Sequence, residues 1–198
     1  MVQITERIRD WEEELKNYDQ LLIGQTAIYK SLMLLRRNNS DFASDSLFRA
    51  AYCYFYDIKT YMSEPENNKW LENYFTLMTK YTKPDAPPVE ENEIEAVIKT
   101  INGNGKRNLS FASKLLHTVN PSLPIWDGNL KEALKDHLNE KNDLTNYLKL
   151  KTVLEDELVK NQTKINDFDE RYKVGNKLKS LDFILWALGK IDKKNKRI

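Results

Sequence analysis

Residues 46–62 read SLFRAAYCYFYDIKTYM, which is the most aromatic stretch of the chain. The spacing of its apolar residues fits an α-helix, in which positions three and four apart share a face. Two faces are apolar: Phe48, Tyr52 and Phe55 lie on one, and Tyr54, Ile58 and Tyr61 lie on the other. Apolar residues on two faces are typical of a helix that is buried on more than one side. The stretch therefore predicts a central helix, with an aromatic core as its main role.

The same helical spacing recurs on both sides of this stretch, and no segment alternates with the period of two that is typical of a half-buried strand. Further helices are predicted over residues 4–18, 25–37, 70–78, 93–101, 109–119, 130–138, 144–160, 167–172 and 178–188. The sequence therefore predicts an all-α, multi-helix domain of eight to eleven helices.

The length of 198 residues and the hydrophobic content of 40% suit one domain with a substantial core. Residues 83–92 contain three prolines and form the clearest linker, which fits either a boundary between two lobes with a cleft between them or a surface loop between layers. Residues 190–198 are rich in lysine and are predicted to be a basic, frayed tail. The acidic runs 12–14 and 155–157 are predicted to be exposed helix faces.

The net charge of +1 gives no global attraction to nucleic acid or to an anionic membrane. Neither a signal-peptide pattern nor an apolar run of membrane-spanning length is present, so we expect a soluble cytoplasmic protein without a membrane partner. The single cysteine, Cys53, is expected to be a core thiol. One cysteine and two histidines are too few to supply the usual four ligands of a structural zinc site, so no metal and no cofactor are predicted.

The segment 101–127 reads INGNGKRNLSFASKLLHTVNPSLPIWD and concentrates positive charge. Four basic residues and no acidic residue occur between positions 96 and 126; the basic residues are Lys99, Lys106, Arg107 and Lys114. Gly103 and Gly105 stand between two predicted helices, where glycine permits a sharp turn. Free N–H groups at the start of the second helix suit an anion such as a phosphate. Asp127 ends the acid-free run, and a lone carboxylate there suits stabilising a developing cation or activating a water.

This pattern resembles the helix-hairpin-helix motif of the HhH-GPD superfamily of DNA glycosylases, over roughly residues 93–138. Ile101, Gly103 and Gly105 match the hairpin of that family. Pro124, Ile125 and Asp127 resemble its Pro-x-Asp segment, with Trp126 as a one-residue insertion. The resemblance implies an all-helical fold with two subdomains, contacts from Gly103, Gly105, Lys106, Arg107 and Lys114 to the DNA backbone, a catalytic Asp127, and a base pocket shaped by Trp126.

The departures from the family pattern narrow the expected chemistry. Arg107 stands where bifunctional members place a lysine, and an arginine does not form the Schiff base that lyase chemistry requires. Asn104 replaces the hydrophobic residue that is usual between the two glycines. The resemblance therefore implies a monofunctional enzyme, in which Asp127 supports water attack. The segments 109–127 and 181–190 also resemble small helical proteins of bacteria, and this adds no activity.

Each of these residues also has a purely structural interpretation. Asp127 precedes an apolar helix and is a good N-cap residue. The two glycines suit a tight turn between helices, and Lys106, Arg107 and Lys114 suit a solvated face. His117 is expected near a helix C-terminus, where it meets the helix dipole favourably.

Three functions remain open on the sequence. The first is a DNA-binding protein of glycosylase type, with monofunctional base excision and double-stranded DNA as its partner. The second is a non-catalytic helical protein that binds a protein partner, because fold does not imply function. The third is a degenerate enzyme that retains DNA binding.

Overall fold

The periodic apolar residues lie on helices in the computed structural model, which describes residues 3–38, 41–58, 68–83, 86, 89–101, 109–139 and 141–196. Eleven α-helices and no strand occur in this part of the chain, which confirms the predicted all-α, multi-helix fold class. Their bounds are α1 Ile4–Arg9, α2 Trp11–Glu14, α3 Asp19–Asn38, α4 Ser46–Phe55, α5 Asn68–Tyr81, α6 Ile94–Ile101, α7 Leu109–Val119, α8 Gly128–Ala133, α9 Asp143–Lys160, α10 Gln162–Tyr172 and α11 Lys177–Asn195. Within the described ranges, no helix is both long and apolar enough to cross a membrane.

The chain divides into two compact units. Unit 1 contains Met1–Thr26 and Pro124–Ile198, and unit 2 contains Ala27–Leu123. The boundaries fall within α3 and directly before Pro124, whereas the proline-rich residues 83–92 that suggested a lobe boundary belong to unit 2.

Unit 1 is built around α11, which packs against α8, α9 and α10. Its residues from Lys179 to Leu185 are all buried. The N-terminal segment joins this core through Trp11, whose ring meets Phe168 edge-on at 5.0 Å and whose Nε1 donates to the carbonyl of Lys164 at 3.0 Å. Sequence-distant ends of the chain thus share one core.

Unit 2 is centred on α7, which packs against α5 and α6. The aromatic residues of α4 and α5 contribute a buried cluster in which the hydroxyl groups of Tyr52 and Tyr74 lie 2.8 Å apart. Tyr74 also donates to the carbonyl of Phe111 at 2.8 Å, which ties α5 to α7. Cys53 is buried here, as predicted, and burial raises the pKa of its thiol to about 11.

The predicted helix over residues 46–62 is shorter in the structure. α4 ends at Phe55, and Asp57 has a φ of 55°, a left-handed conformation that does not continue a helix. Its first predicted face is largely correct, because Phe48 and Tyr52 are buried. Its second face is only partly buried, since Ile58 is buried and Tyr54 is 67% exposed; Tyr61 lies outside the described residues.

Two other predicted elements need correction. The single helix expected over residues 4–18 is divided into α1, α2 and a short 3-10 helix, Lys16–Tyr18, because the chain leaves helical geometry at Asp10 and Leu15. The tail expected from residue 190 is helical as far as Asn195. It is held by Lys193, whose Nζ donates to Oδ1 of Asn129 at 2.8 Å, and by Asp192, which pairs with Arg7 at 2.9 Å.

Candidate functional site

The G-x-G sequence, Gly103 to Gly105, lies along the chain between α6 and α7. Gly103, Gly105, Lys106 and Arg107 fall outside the described residues. The two helices that precede and follow them are described, and they pack against each other within unit 2. A pair of short contacting helices therefore brackets the G-x-G sequence, as a helical hairpin requires.

The first helix of this pair, α6, is strongly amphipathic. Ile94, Val97, Ile98 and Ile101 are buried, whereas Lys99 is exposed near its C-terminus. The steps of three, one and three residues between the buried positions define one face of a helix. Lys99 therefore projects from the solvent face of α6, near the end that precedes the G-x-G sequence.

The second helix, α7, is the core helix of unit 2, and every described residue from Phe111 to Val119 is buried. This differs from an ordinary surface hairpin helix, which exposes one face. Because α7 is enclosed, the side chains of its later turns have no solvent face to offer to a ligand.

Lys114 illustrates this most clearly. It is only 7% exposed, and its Nζ donates to the carbonyl of Tyr56 at 3.2 Å. The same atom lies 5.5 Å from the ring centroid of Phe111 and 5.8 Å from that of Tyr56. A carbonyl and two aromatic faces stabilise a buried ammonium. A contact from Lys114 to DNA would require the side chain to leave these partners, and the solvated-face interpretation of Lys114 is wrong.

His117 connects α7 to the segment that follows it. Its Nδ1 lies 2.7 Å from the carbonyl of Leu123, so this nitrogen donates, and the hydroxyl of Tyr29 lies 3.2 Å from Nε2. His117 lies in the last turn of α7, as predicted, and these two contacts orient its ring.

Asp127 is the N-cap residue of α8, as its structural interpretation predicted. The backbone is extended at Asp127, and Oδ1 of its half-buried carboxylate accepts from the N–H of Asn129 at 2.7 Å. Among the described residues, this carboxylate forms no further hydrogen bond or ion pair. Capping thus engages Oδ1 and leaves Oδ2 without a hydrogen-bond partner in this part of the chain.

The start of α8 is held in place by α11. Asn129 accepts from Nζ of Lys193, and a Cβ added at Gly189 would lie 1.8 Å from the carbonyl oxygen of Asn129. Only a glycine allows the two backbones to approach this closely. The position of Asp127 therefore depends on two residues of the last helix.

Trp126, the expected base-pocket residue, is buried in unit 1. Its ring meets Tyr147 edge-on at 6.4 Å, and Nζ of Lys131 lies 5.0 Å from its centroid. Both contacts are within unit 1, where Trp126 acts as a core residue beside Asp127. Trp126 and Asp127 belong to unit 1, whereas the glycine turn and Lys114 belong to unit 2.

α9 carries a buried carboxylate, Glu157, that the acidic run in the sequence does not predict. Glu157 was expected on an exposed acidic face, but it is only 2% exposed and accepts from Oγ1 of Thr5 at 2.9 Å. The signal was present, because Leu150, Leu154 and Glu157 follow one another at steps of four and three and share the buried face. The charge of Glu157 indicates an exposed side chain, whereas its position in the helix indicates, correctly, a buried one.

In the described residues, no group of three or more histidine, cysteine, aspartate or glutamate side chains is arranged to hold a metal ion. Neither a model of a known protein family, nor a curated protein, nor a solved structure matches the chain.

Proposed function

We propose that this chain is a DNA-binding protein of helix-hairpin-helix type, and that Asp127 supplies the carboxylate of a monofunctional base-excision reaction. The observation that carries the proposal is the packed pair α6 and α7 on either side of the G-x-G sequence. In this proposal Gly103 and Gly105 bring backbone N–H groups close to a phosphate, which needs no base-specific contact.

Charge supports the same segment. Residues 96–126 contain no acidic side chain in a chain whose net charge is only +1. With Lys114 engaged in the core, the proposed phosphate contacts are Lys106 and Arg107, with Lys99 beside them on the exposed face of α6. When lysine and arginine side chains bind DNA phosphates, they displace the counterions that are condensed on the DNA. The affinity for DNA therefore falls steeply as the salt concentration rises.

The environment of Asp127 is compatible with the proposed chemistry. One carboxylate oxygen is fixed by the N–H of Asn129, which orients the group. The second oxygen can accept a proton from an attacking water, or stabilise the positive charge that develops on the sugar as the base leaves. Arg107 offers no Schiff-base nucleophile, so the reaction ends at an abasic site.

Base release is the direct test of this chemistry. Labelled duplexes containing uracil, 8-oxoguanine or an alkylated purine are incubated with wild type and with Asp127→Asn, and then heated in alkali to cleave abasic sites. Asparagine is as good an N-cap as aspartate, so the substitution removes the charge and keeps the cap. We expect wild type to release one of these bases and Asp127→Asn to do so at least about 100-fold more slowly.

Binding to the same duplexes is the control for that experiment. Equal affinity of wild type and Asp127→Asn, with base release lost, assigns the chemistry to the carboxylate. Equal release by both proteins contradicts a catalytic Asp127. Binding without release by wild type leaves a degenerate enzyme that retains DNA binding.

A second candidate function is a non-catalytic interaction protein, and the outer face of α4 favours it. Leu47 and Tyr54 are two turns apart on this helix and are 65% and 67% exposed. Large exposed apolar side chains on one helix face suit a protein partner. Absence of duplex binding at low salt selects this function over the first.

A further inference from the structure

Unit 1 contains a cavity that the proposed function does not use. Its volume is about 750 Å³, and it is formed by residues of α1 and α2, the end of α8, α9 and the end of α11. This volume lies within the range of small-molecule sites. Nine of the fifteen residues that line it carry a charged side chain, which is unusual for such sites.

The two signs of charge differ in how deeply they lie. Carboxylates form the inner wall, where the side chains of Glu157, Glu132 and Asp192 are at most 21% exposed. Lysines form the rim, where the side chains of Lys135, Lys160 and Lys196 are at least 47% exposed. The carboxylates of the inner wall are therefore held in place, whereas the ammonium groups of the rim lie at the ends of long, exposed lysine side chains.

Hydrogen bonds keep the inner carboxylates in place. Glu157 accepts from Oγ1 of Thr5 at 2.9 Å and from Nδ2 of Asn161 at 3.0 Å. Asp192 is held by Nη1 of Arg7 at 2.9 Å. Among the described side chains of the wall, Arg7 is the only cation as buried as these three carboxylates, so the inner wall has a negative excess.

The rim lysines at present balance that excess. Nζ of Lys196 lies 2.6 Å from Oε1 of Glu132, and Nζ of Lys160 lies 3.4 Å from Oε1 of Glu157. Ion pairs made by exposed lysines contribute little to stability, since each costs side-chain entropy and is screened by salt. A ligand that carries its own ammonium groups can therefore take the place of the lysines without a large penalty.

We propose that this cavity binds a small organic polyamine, whose ammonium groups replace those of Lys196 and Lys160 against Glu132 and Glu157. The inference does not depend on DNA binding or on base excision. It rests on the cavity and on the difference in burial between its acids and its lysines.

Calorimetric titration of spermidine into the full chain, at low ionic strength and without nucleic acid, tests the proposal. We expect saturable binding with one site per chain. Glu132→Gln should weaken the affinity at least about fivefold, because it removes a fixed partner of an ammonium group. Glu155→Gln is the matched control, since Glu155 is an exposed acid of α9 outside the cavity wall, and it should change the affinity less than about twofold.

Removing a rim lysine gives a result of opposite sign. Lys196→Gln should strengthen spermidine binding about threefold, because the ligand no longer competes with a tethered ammonium. Lys194→Gln, an exposed lysine of the same helix outside the cavity wall, is its control and should have a clearly smaller effect. Lys196 is exposed, so this variant remains informative even where Glu132→Gln fails to fold.

Three results would overturn the proposal. These are absence of saturable spermidine binding, an equal loss of affinity in Glu132→Gln and Glu155→Gln, and weaker binding in Lys196→Gln. The second would show attraction to the overall charge rather than to the cavity, and the third would show that Lys196 does not compete with the ligand.

Discussion

At the scale of single residues, Asp127 has two separable properties. Its side chain caps α8 through the N–H of Asn129, and its charge is what the proposed chemistry needs. Aspartate and asparagine cap about equally well, whereas alanine does not cap. The two properties can therefore be separated by choosing the substitution.

Asp127→Ala is expected to lower the free energy of unfolding by about 1 kcal/mol, and Asp127→Asn by a few tenths at most. Urea denaturation followed by circular dichroism measures both. A large loss of stability in Asp127→Asn would mean that the charge itself holds the fold, and the base-release comparison would then need a different variant.

Among the described glycines, Gly189 has the least space for a side chain. Its absent side chain leaves room for the carbonyl of Asn129, which a Cβ would approach to 1.8 Å. We expect Gly189→Ala to destabilise the protein by at least about 2 kcal/mol, since two packed backbones must separate. Denaturation by urea is again the measurement.

Gly24→Ala is the matched control, because Gly24 also lies within a helix but has no atom within 4 Å of the added Cβ. Alanine is favoured over glycine inside a helix, so this variant should be more stable by about 0.5–1 kcal/mol. Equal stability of the two variants would contradict the close packing of α8 on α11.

The candidate site was only partly predictable at this scale. The capping role of Asp127 follows from a local pattern, an aspartate directly before an apolar helix, and the structure confirms it. The buried positions of Lys114 and Glu157 oppose the usual preference of charged residues for water. The partner of Lys114, the carbonyl of Tyr56, is distant in sequence, so no local pattern reveals it, whereas the register of α9 does place Glu157 on the buried face.

At the scale of helices, periodicity located the elements better than it located their ends. α7 begins and ends where its spacing predicted, whereas α11 continues well beyond the last apolar position of its predicted range. The additional turns are held by polar contacts of Asp192 and Lys193 with other helices. An apolar pattern carries no information about such contacts, so the helix was predicted too short.

The junction between α10 and α11 depends on Asp169. Its carboxylate accepts from Oγ of Ser180 at 2.7 Å and from the N–H of Gly175 at 2.9 Å, and it pairs with Lys177 at 3.2 Å. Partial burial acts to raise the pKa of Asp169, but these hydrogen bonds and the charge of Lys177 outweigh it, and the pKa is lowered.

A carboxyl group whose pKa is lower in the folded state stabilises the fold above its unfolded pKa of about 3.9, and this contribution is lost as the pH falls through the folded value. We therefore expect Asp169→Asn to be less stable than wild type by about 1 kcal/mol at pH 7, with the difference shrinking below about pH 4. Urea denaturation over a pH series measures this, with Glu170→Gln as an exposed control on the same helix. A difference that is independent of pH would contradict the ionised role of Asp169.

At the scale of the whole molecule, the fold class followed from the sequence and the division into units did not. Helical spacing throughout and the absence of a strand pattern predicted an all-α protein, which the structure confirms. Unit 1 joins the first residues of the chain to its last third, through contacts such as that of Trp11 with Phe168. Local composition and proline-rich linkers indicate only boundaries between segments that follow one another along the chain. They cannot reveal a unit that is assembled from two segments far apart in the sequence.

The central claim, that the segment 101–107 binds DNA, is tested most directly by the salt dependence of duplex binding. Fluorescence anisotropy with a labelled duplex compares wild type with the double variant Lys106→Gln, Arg107→Gln. Lys69→Gln, Lys80→Gln removes the same charge from exposed positions of α5 and serves as the control. We predict that wild type binds at low salt, that the double variant binds more weakly with a slope of log K against log salt that is smaller by about 2, and that the control retains the wild-type slope. No duplex binding by wild type, or an identical slope in both double variants, would contradict the claim.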